Sequence, residues 1–329
     1  MNALFNITDT APPVKGLPRA AAEAETLDAR NDVVYKLLPV KSLLNACAGM
    51  PFEWTINPYR GCEIGCPYCF ARYTHEYMGF EAWLDFERKI FVKESAAEVL
   101  ARELAKKKGR KGHIAIGTAT DPYQPAERRF GITRSLLVVL ARHSGLSLSI
   151  TTKSDLVLRD VDLLQAAGER NRLRVNVTIT TPDARLARLL EPRAPTPQKR
   201  FAAVAGLTKA GIGVNVFLAP VLPFITDKRE DLETIIARAQ ALGVRRVVVD
   251  CLRLRSSARK RYLPFIAEQF PHLLADYRRL YGADEEPLRD YQRHLWAMCG
   301  ELLDRYGFNA DDEESPPHVL EQLELALEG

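Results

Sequence analysis

Three cysteines within eight residues pose the chemical question of this chain. The segment NPYRGCEIGCPYCFARYTHEY sets Cys62, Cys66 and Cys69 in a C-x3-C-x2-C spacing. Thiolates clustered in one loop are a metal-binding set. A structural zinc ion takes four ligands, commonly as two pairs. No second Cys/His pair of zinc-knuckle spacing lies nearby, and His75 is the one candidate for a fourth ligand. A cubane [4Fe–4S] cluster fits the set better. Three cysteines hold three irons and leave the fourth open to a substrate or cofactor. Gly61 and Gly65 let such a loop wrap a cluster without side-chain clashes, and Pro67 stiffens it ahead of Tyr68 and Cys69.

The elements that position this loop follow from periodicity. From Trp54 to about Arg253, short β-rich runs alternate with segments of helical period, the signature of βαβ units and a parallel sheet. Six strands are expected, at Glu53–Asn57, His113–Gly117, Leu146–Thr151, Arg174–Ile179, Val214–Ala219 and Arg246–Cys251. VNVTI, VNVFLAPV and RVVVDCL are apolar at nearly every position, as in strands covered on both faces. Helix starts are marked by Ser95 with Glu98, by Thr133, by Thr181 before Pro182, and by Asp227 with Glu230; Gly109 marks a stop. The fold class is therefore α/β, a partial TIM barrel of (β/α)6 type. The cysteines follow its first strand and so sit at the C-terminal mouth, where barrel sites are built.

Around this core of 51–255, residues 1–50 read as an N-terminal extension without sustained period. Residues 256–329 read as a C-terminal helical region that covers one mouth, with an acidic loop at Asp311–Glu314. The composition is that of an ordinary globular chain, 47% hydrophobic and 27% charged. No apolar run is long enough for a membrane, and MNALFNITDT lacks signal-peptide features, so a cytoplasmic protein is expected. Six scattered and clustered cysteines in such a chain do not suggest a disulfide framework.

C-x3-C-x2-C with an aromatic before the last cysteine is the radical S-adenosylmethionine motif, here Cys62, Cys66, Tyr68 and Cys69. The wider text resembles the spore photoproduct lyase-like branch of that superfamily. The resemblance is carried by NPYRGC, PYCFARYTHEY, DFERKIFVKE, GTATDPYQPAERR, TRSLLVVL, TTKSDLVLRDVDLL, VTITTPD, LLEPRAPTPQKR and GIGVNVFLAPVLPFITD, over about residues 50–255. It implies a [4Fe–4S] cluster on the three cysteines and S-adenosyl-L-methionine on the fourth iron. It further implies reductive cleavage to methionine and a 5′-deoxyadenosyl radical that abstracts a substrate hydrogen. The electron then comes from a flavodoxin- or ferredoxin-like donor.

The resemblance also implies roles for single residues. Tyr68 takes the position beside the adenine. Gly117, Thr118 and Asp121 stand where the second strand usually carries a Gly-Gly-Glu-like element, from which GTATD departs. Lys153 matches a lysine that contacts the cofactor carboxylate, and Thr178, or Thr180 next to it, a hydroxyl of the fourth strand. Plainer readings stand beside these: a solvated loop lysine, an ordinary strand threonine, and a turn-forming Asp121 before Pro122. Glu191-Pro192-Arg193 reads as an ordered turn with structural ion pairing.

The remaining features concern the substrate. True photoproduct lyases use a cysteine soon after the cluster motif as hydrogen donor, and this chain has none between Cys69 and Cys251, which sets it apart from them. Cys251 and Cys299 read as small buried hydrophobes, Cys251 also near the mouth. KKKGRK at 106–111 reads as a solvated helix end. RLRSSARKR at 253–261 lies near the mouth, where Arg255, Arg259 and Arg261 would guide a phosphate backbone and Tyr262 and Phe265 would stack on bases. A nucleic-acid substrate is thus one expectation. A small metabolite or peptide is a second, and a non-catalytic metal-binding barrel a third.

Overall fold

Alternation of polar and apolar residues runs through the core strands and decides how they sit. A computed structural model describes residues 16–30, 32–106 and 112–308 of the 329-residue chain. Six parallel strands form its main sheet: β1 (Trp54–Ile56), β2 (His113–Ile116), β3 (Ser147–Thr152), β4 (Arg172–Thr178), β5 (Gly213–Val221) and β6 (Arg246–Cys251). They pair in the order β1-β2-β3-β4-β5-β6, and Asn45–Ala46 adds an antiparallel pair on the outer edge of β1. Among the described residues β6 does not pair back to β1, so the barrel stays open.

Each strand buries one face outward. Ile114, Ile150, Val175, Val177 and Val216 join the apolar core, while their neighbours Ala115, Ser149, Arg174, Asn176 and Asn215 line a central cavity. The strands are therefore apolar on one face only, unlike the two-sided burial expected from VNVTI and RVVVDCL. The two faces differ because helices cover the outside and the inside is hollow.

The covering helices are α1 (Ala96–Ala105), α2 (Ile132–Ala141), α3 (Val161–Gly168), α4 (Ala184–Leu190), α5 (Pro197–Lys209) and α6 (Arg229–Ala241). In α5, Phe201, Val204 and Leu207 are buried against the sheet. Such burial contributes about 1.5–3 kcal/mol per side chain. Thr196 caps this helix by accepting from the Lys199 amide, with Pro197 in the first turn.

Four expected caps differ. Ser95 precedes α1 but its side chain makes no capping bond. Thr133 lies inside α2, its hydroxyl donating to the Pro122 carbonyl, and the positive-φ Gly131 starts that helix. Asp183, not Thr181, caps α4 by accepting from the Arg185 and Leu186 amides. Asp227 does not cap α6 either; its carboxylate accepts from Phe224 N and Tyr291 Oη. Three of the four side chains have other partners: Thr133 donates to Pro122 O, Thr181 accepts from the Asp183 amide, and Asp227 accepts from Phe224 N and Tyr291 Oη. Gly109 and Asp311–Glu314 lie outside the described residues.

The N-terminal region is more ordered than its lack of period suggests. Thr26–Arg30 and Val33–Leu37 form a hairpin, and Val33–Leu37 runs parallel to Lys89–Val92, which in turn pairs with Tyr59–Arg60. This second sheet braces the segment that carries the cysteines. The C-terminal helices are α7 (Ser256–Gln269), α8 (Leu274–Tyr281) and α9 (Arg289–Arg305). α7 packs on the short helical turn Phe70–Arg72, just after Cys69, and α9 packs on α6 and β6. No described helix is long and apolar enough to cross a membrane.

Candidate active site

The cysteine loop leaves the end of β1 and is held from several sides. Gly61 has φ +81°, and a Cβ there would lie 2.8 Å from Phe86 O and 2.9 Å from Lys89 O. Gly65 also has positive φ, and a Cβ would collide with the Glu87 carboxylate. Only glycine suits both positions. The buried Arg72 donates to Cys66 O at 2.7 Å and Trp83 O at 2.8 Å. Thr120 Oγ1 and Gln124 Nε2 both donate to Gly61 O, at 2.6 and 3.1 Å.

Cys62, Cys66 and Cys69 all line one cavity of about 600 Å³. Burial pushes the Cys62 thiol up, and the neighbouring Asp121 carboxylate pushes it further. Burial takes Cys66 up to about 12 against the pull of Lys153, and Cys69 rises for the same reason against the pull of Arg72. These thiols hold their protons until a metal group displaces them. Among the described residues, no three Cys, His, Asp or Glu side chains converge on one point as a single metal ion needs. A cubane asks for a different arrangement, one thiolate for each of three irons around it. His75 is no fourth ligand: it is buried among Phe80, Phe86 and Phe91, with Nε2 at 2.9 Å from Lys89 O, and is not in the cavity wall. The donor set thus fits an iron–sulfur cluster with one open iron.

The expected cofactor-contact residues other than Thr180 line the same cavity. Tyr68, Gly117, Thr118, Asp121, Lys153 and Thr178 surround it with the cysteines, as does Cys251. Thr180 does not; its hydroxyl donates to Glu191 at 3.1 Å. Gly117 has φ +89°, and a Cβ would lie 2.7 Å from Thr151 O. Thr118 Oγ1 lies 2.5 Å from Thr55 Oγ1 and accepts from Asn57 at 3.2 Å. Asp121 does form a turn, accepting from the Tyr123 amide at 2.9 Å. Its carboxylate also accepts from Thr152 Oγ1 at 2.6 Å and Lys153 N at 2.7 Å, and so ties the ends of β2 and β3 together. Cys299 is buried in the main core on α9.

Glu191 organises the wall behind the loop. It is fully buried, accepts from Tyr68 Oη, and pairs with the equally buried Arg200. Lys153 Nζ stands 3.9 Å from the same carboxylate. Arg200 in turn donates to Thr178 O at 3.2 Å and Pro195 O at 2.9 Å. Burial alone would raise the Glu191 carboxyl, but Arg200 and Lys153 outweigh it and hold it below the usual range. Burial alone would lower Lys153, but Cys66 and Glu191 outweigh it and raise it. The turn with ion pairing expected at 191–193 is thus a buried hub joining Tyr68, Lys153 and the end of β4. Sequence reasoning missed that reach, since partners over a hundred positions away leave no local period.

The basic stretch 253–261 is arranged differently from its sequence reading. Tyr262 and Phe265 are buried and cannot stack on a base. Arg259 donates to Gly282 O at 2.6 Å and to Asp284 O, and Arg261 lies 4.2 Å over the Trp83 ring. Arg253 and Arg255 do line the cavity, near Glu286 at 3.5 Å and Glu285 at 3.6 Å. Of the run at 106–111, Lys106 ends α1 and the rest lies outside the described residues.

Comparison with known proteins bears on the family and the fold. An uncharacterized protein of Mycobacterium tuberculosis is 38% identical over 282 residues, 85% of this chain and 83% of that one. An uncharacterized protein of Methanocaldococcus jannaschii is 33% identical over 175 residues, 53% of this chain and 62% of that one. Among solved structures, spore photoproduct lyase complexed with dinucleoside spore photoproduct superposes with a TM-score of 0.61 at 15% identity, over 82% of this chain and 79% of that one. A mutant of that lyase with bound AdoMet superposes with a TM-score of 0.60 at 14% identity, over the same shares of 82% and 79%. At such identity the likeness is one of fold. The sequence model of the radical SAM superfamily matches residues 56–239, from the last residue of β1 into α6 and across the whole cysteine loop. With the cysteine spacing, the open parallel barrel and this match in agreement, the chain belongs to the radical SAM superfamily.

Proposed function

We propose that this protein is a radical S-adenosylmethionine enzyme whose Cys62, Cys66 and Cys69 hold a [4Fe–4S] cluster. The observation that carries the reading is the shared cavity: three buried-loop cysteines, Lys153, Asp121 and Thr178 all face one space at the barrel mouth. When bound, cluster and cofactor supply one-electron cleavage to methionine and a 5′-deoxyadenosyl radical that takes hydrogen from a substrate.

The chain's own residues bind, orient and shield. The cysteines give up their protons to become ligands. Lys153, beside the Glu191 carboxylate at 3.9 Å, offers an ammonium to the cofactor's carboxylate. Tyr68, fixed by Glu191, gives a flat wall for the adenine, and the turn at Gly117–Thr118 lets the cofactor approach the backbone closely. α7 closes the loop from outside and excludes water. A flavodoxin- or ferredoxin-like protein would supply the electron. A nucleic-acid substrate at the mouth is the second reading, favoured by Arg253 and Arg255 in the cavity wall.

Anaerobic reconstitution tests the main reading. About four irons and four sulfides per chain, and dithionite-dependent formation of 5′-deoxyadenosine, are expected from cubane ligation. Cys66→Ala should abolish both. A colourless protein that binds zinc and leaves the cofactor intact would refute it.

A further inference from the structure

The interior of a closed (β/α) barrel is normally packed by layers of Val, Ile and Leu. Here two of the layers carry polar side chains. Ser149 lies level with Arg174, and one row higher Thr151, Asn176, Asn215 and Arg246 lie level across four neighbouring strands. The upper row is already wired: Asn215 Nδ2 donates to Asn176 Oδ1 at 2.9 Å, and Asn176 Nδ2 to Thr151 Oγ1 at 3.1 Å. Both amides are buried, at 5% and 8% exposure. Polar groups of this kind inside a domain cost stability relative to packed aliphatic layers. A row of them around a hollow of about 600 Å³ that runs from the cysteines down to the strand starts is the make-up of a ligand chamber.

The charge of the wall gives the ligand's class. Six cationic side chains line the hollow, Lys153, Arg172, Arg174, Arg246, Arg253 and Arg255, against two carboxylates, Asp121 and Asp250. Arg253 is near Asp250 and Glu286, and Arg255 near Glu285, so acids stand beside the mouth arginines. Arg174 and Arg246 stand deeper. Arg174 precedes Thr178 by four residues on β4, about 13 Å down the strand at 3.3 Å per residue, and Arg246 lies about 7 Å down.

We propose that the substrate entering this lumen is a small molecule bearing a phosphate or carboxylate, and that Arg174 and Arg246 hold that anion. The proposal rests on the radical reading for its chemistry. The substrate then reaches up toward Thr178 with its reactive carbon, its anion several bonds away. The part of this hollow that the cluster and cofactor leave free suits a small molecule rather than a polymer backbone.

Cluster-loaded wild-type protein with S-adenosylmethionine is titrated anaerobically with orthophosphate, succinate or sodium chloride at matched ionic strength, and its melting midpoint is followed. Orthophosphate or succinate should raise the midpoint by about 2–4 °C at roughly ten times its Kd, and chloride should not. A response to orthophosphate alone names a phosphate, and one to succinate alone a carboxylate. Arg174→Gln with Arg246→Gln should lose the shift. Should that variant not fold, phenylglyoxal labelling of the wild type decides: the bound anion should protect Arg174 and Arg246 about ten-fold, the factor 1 + [L]/Kd, and leave the surface residue Arg129 unprotected. Equal stabilisation by chloride, or labelling at both arginines unchanged by the anion, overturns the proposal. A larger shift from a single-stranded oligonucleotide also overturns it, in favour of a nucleic acid at the mouth. Cofactor cleavage by the wild type without added anion tests the radical reading separately.

Discussion

Exchanging Glu191 for glutamine removes one charge from the middle of a buried network and keeps its shape. The side chain is fully buried and its partner Arg200 is 1% exposed, so water cannot replace the lost carboxylate. Glutamine can still accept from Tyr68 and Thr180, but it leaves the Arg200 guanidinium, and Lys153 at 3.9 Å, without their counter-charge. Breaking a buried pair on one side costs about 3–5 kcal/mol. In a chain of this size that lowers the melting midpoint by roughly 4–7 °C. Differential scanning calorimetry of the cluster-free protein measures it directly. The pH dependence is a second readout. The Glu191 carboxyl is held below its ordinary 4.5 because Arg200 and Lys153 outweigh burial, so its stabilisation is complete above the unfolded value and is lost as pH falls through the folded one. Glu191→Gln should therefore flatten that acid limb as well as lower the plateau. A loss under about 1 kcal/mol, the range of an exposed pair, would show that the hub contributes as little as a surface contact and would refute the reasoning.

Two further outcomes follow from single positions. Gly61→Ala puts a Cβ 2.8 Å from Phe86 O at φ +81°, which should destabilise by roughly 2–4 kcal/mol and reduce iron uptake on reconstitution; an unchanged unfolding curve contradicts the close approach. His75, pushed by burial from 6.5 down to about 3, stays neutral while the unfolded chain protonates. Stability should therefore fall by about 1.4 kcal/mol per pH unit from 6.5 toward 3, a slope that His75→Gln removes in pH-dependent denaturation.

The parts legible in the sequence are those with local causes. All six barrel strands fall within a few residues of their expected places because alternation and turn residues mark them. The cysteines are legible by their spacing, and Lys153 only through the family resemblance, as the residue that follows a strand. The small sheet was not, since Val33–Leu37 finds its partner in Lys89–Val92, far along the chain, and carries no long period. Tertiary competition explains the displaced caps: Thr133 is drawn to Pro122 O and Asp227 to Tyr291. The lumen was missed because RLRVNVT looks like a buried strand until one asks where Arg174 and Asn176 point.

The bond between Tyr68 and Glu191 spans 123 positions. During synthesis the cysteine loop leaves the ribosome well before the carboxylate that will lock it. At roughly 5–20 residues per second that interval is about 6–25 s. For that time three thiols stand in a loop braced by Val33–Leu37 and Lys89–Val92 but open behind. Oxygen and stray zinc have their best access then, before α5 brings Arg200 into place. On the proposed reading of this loop as a cluster site, biogenesis rather than turnover is the stage most sensitive to oxidation and to the supply of cluster.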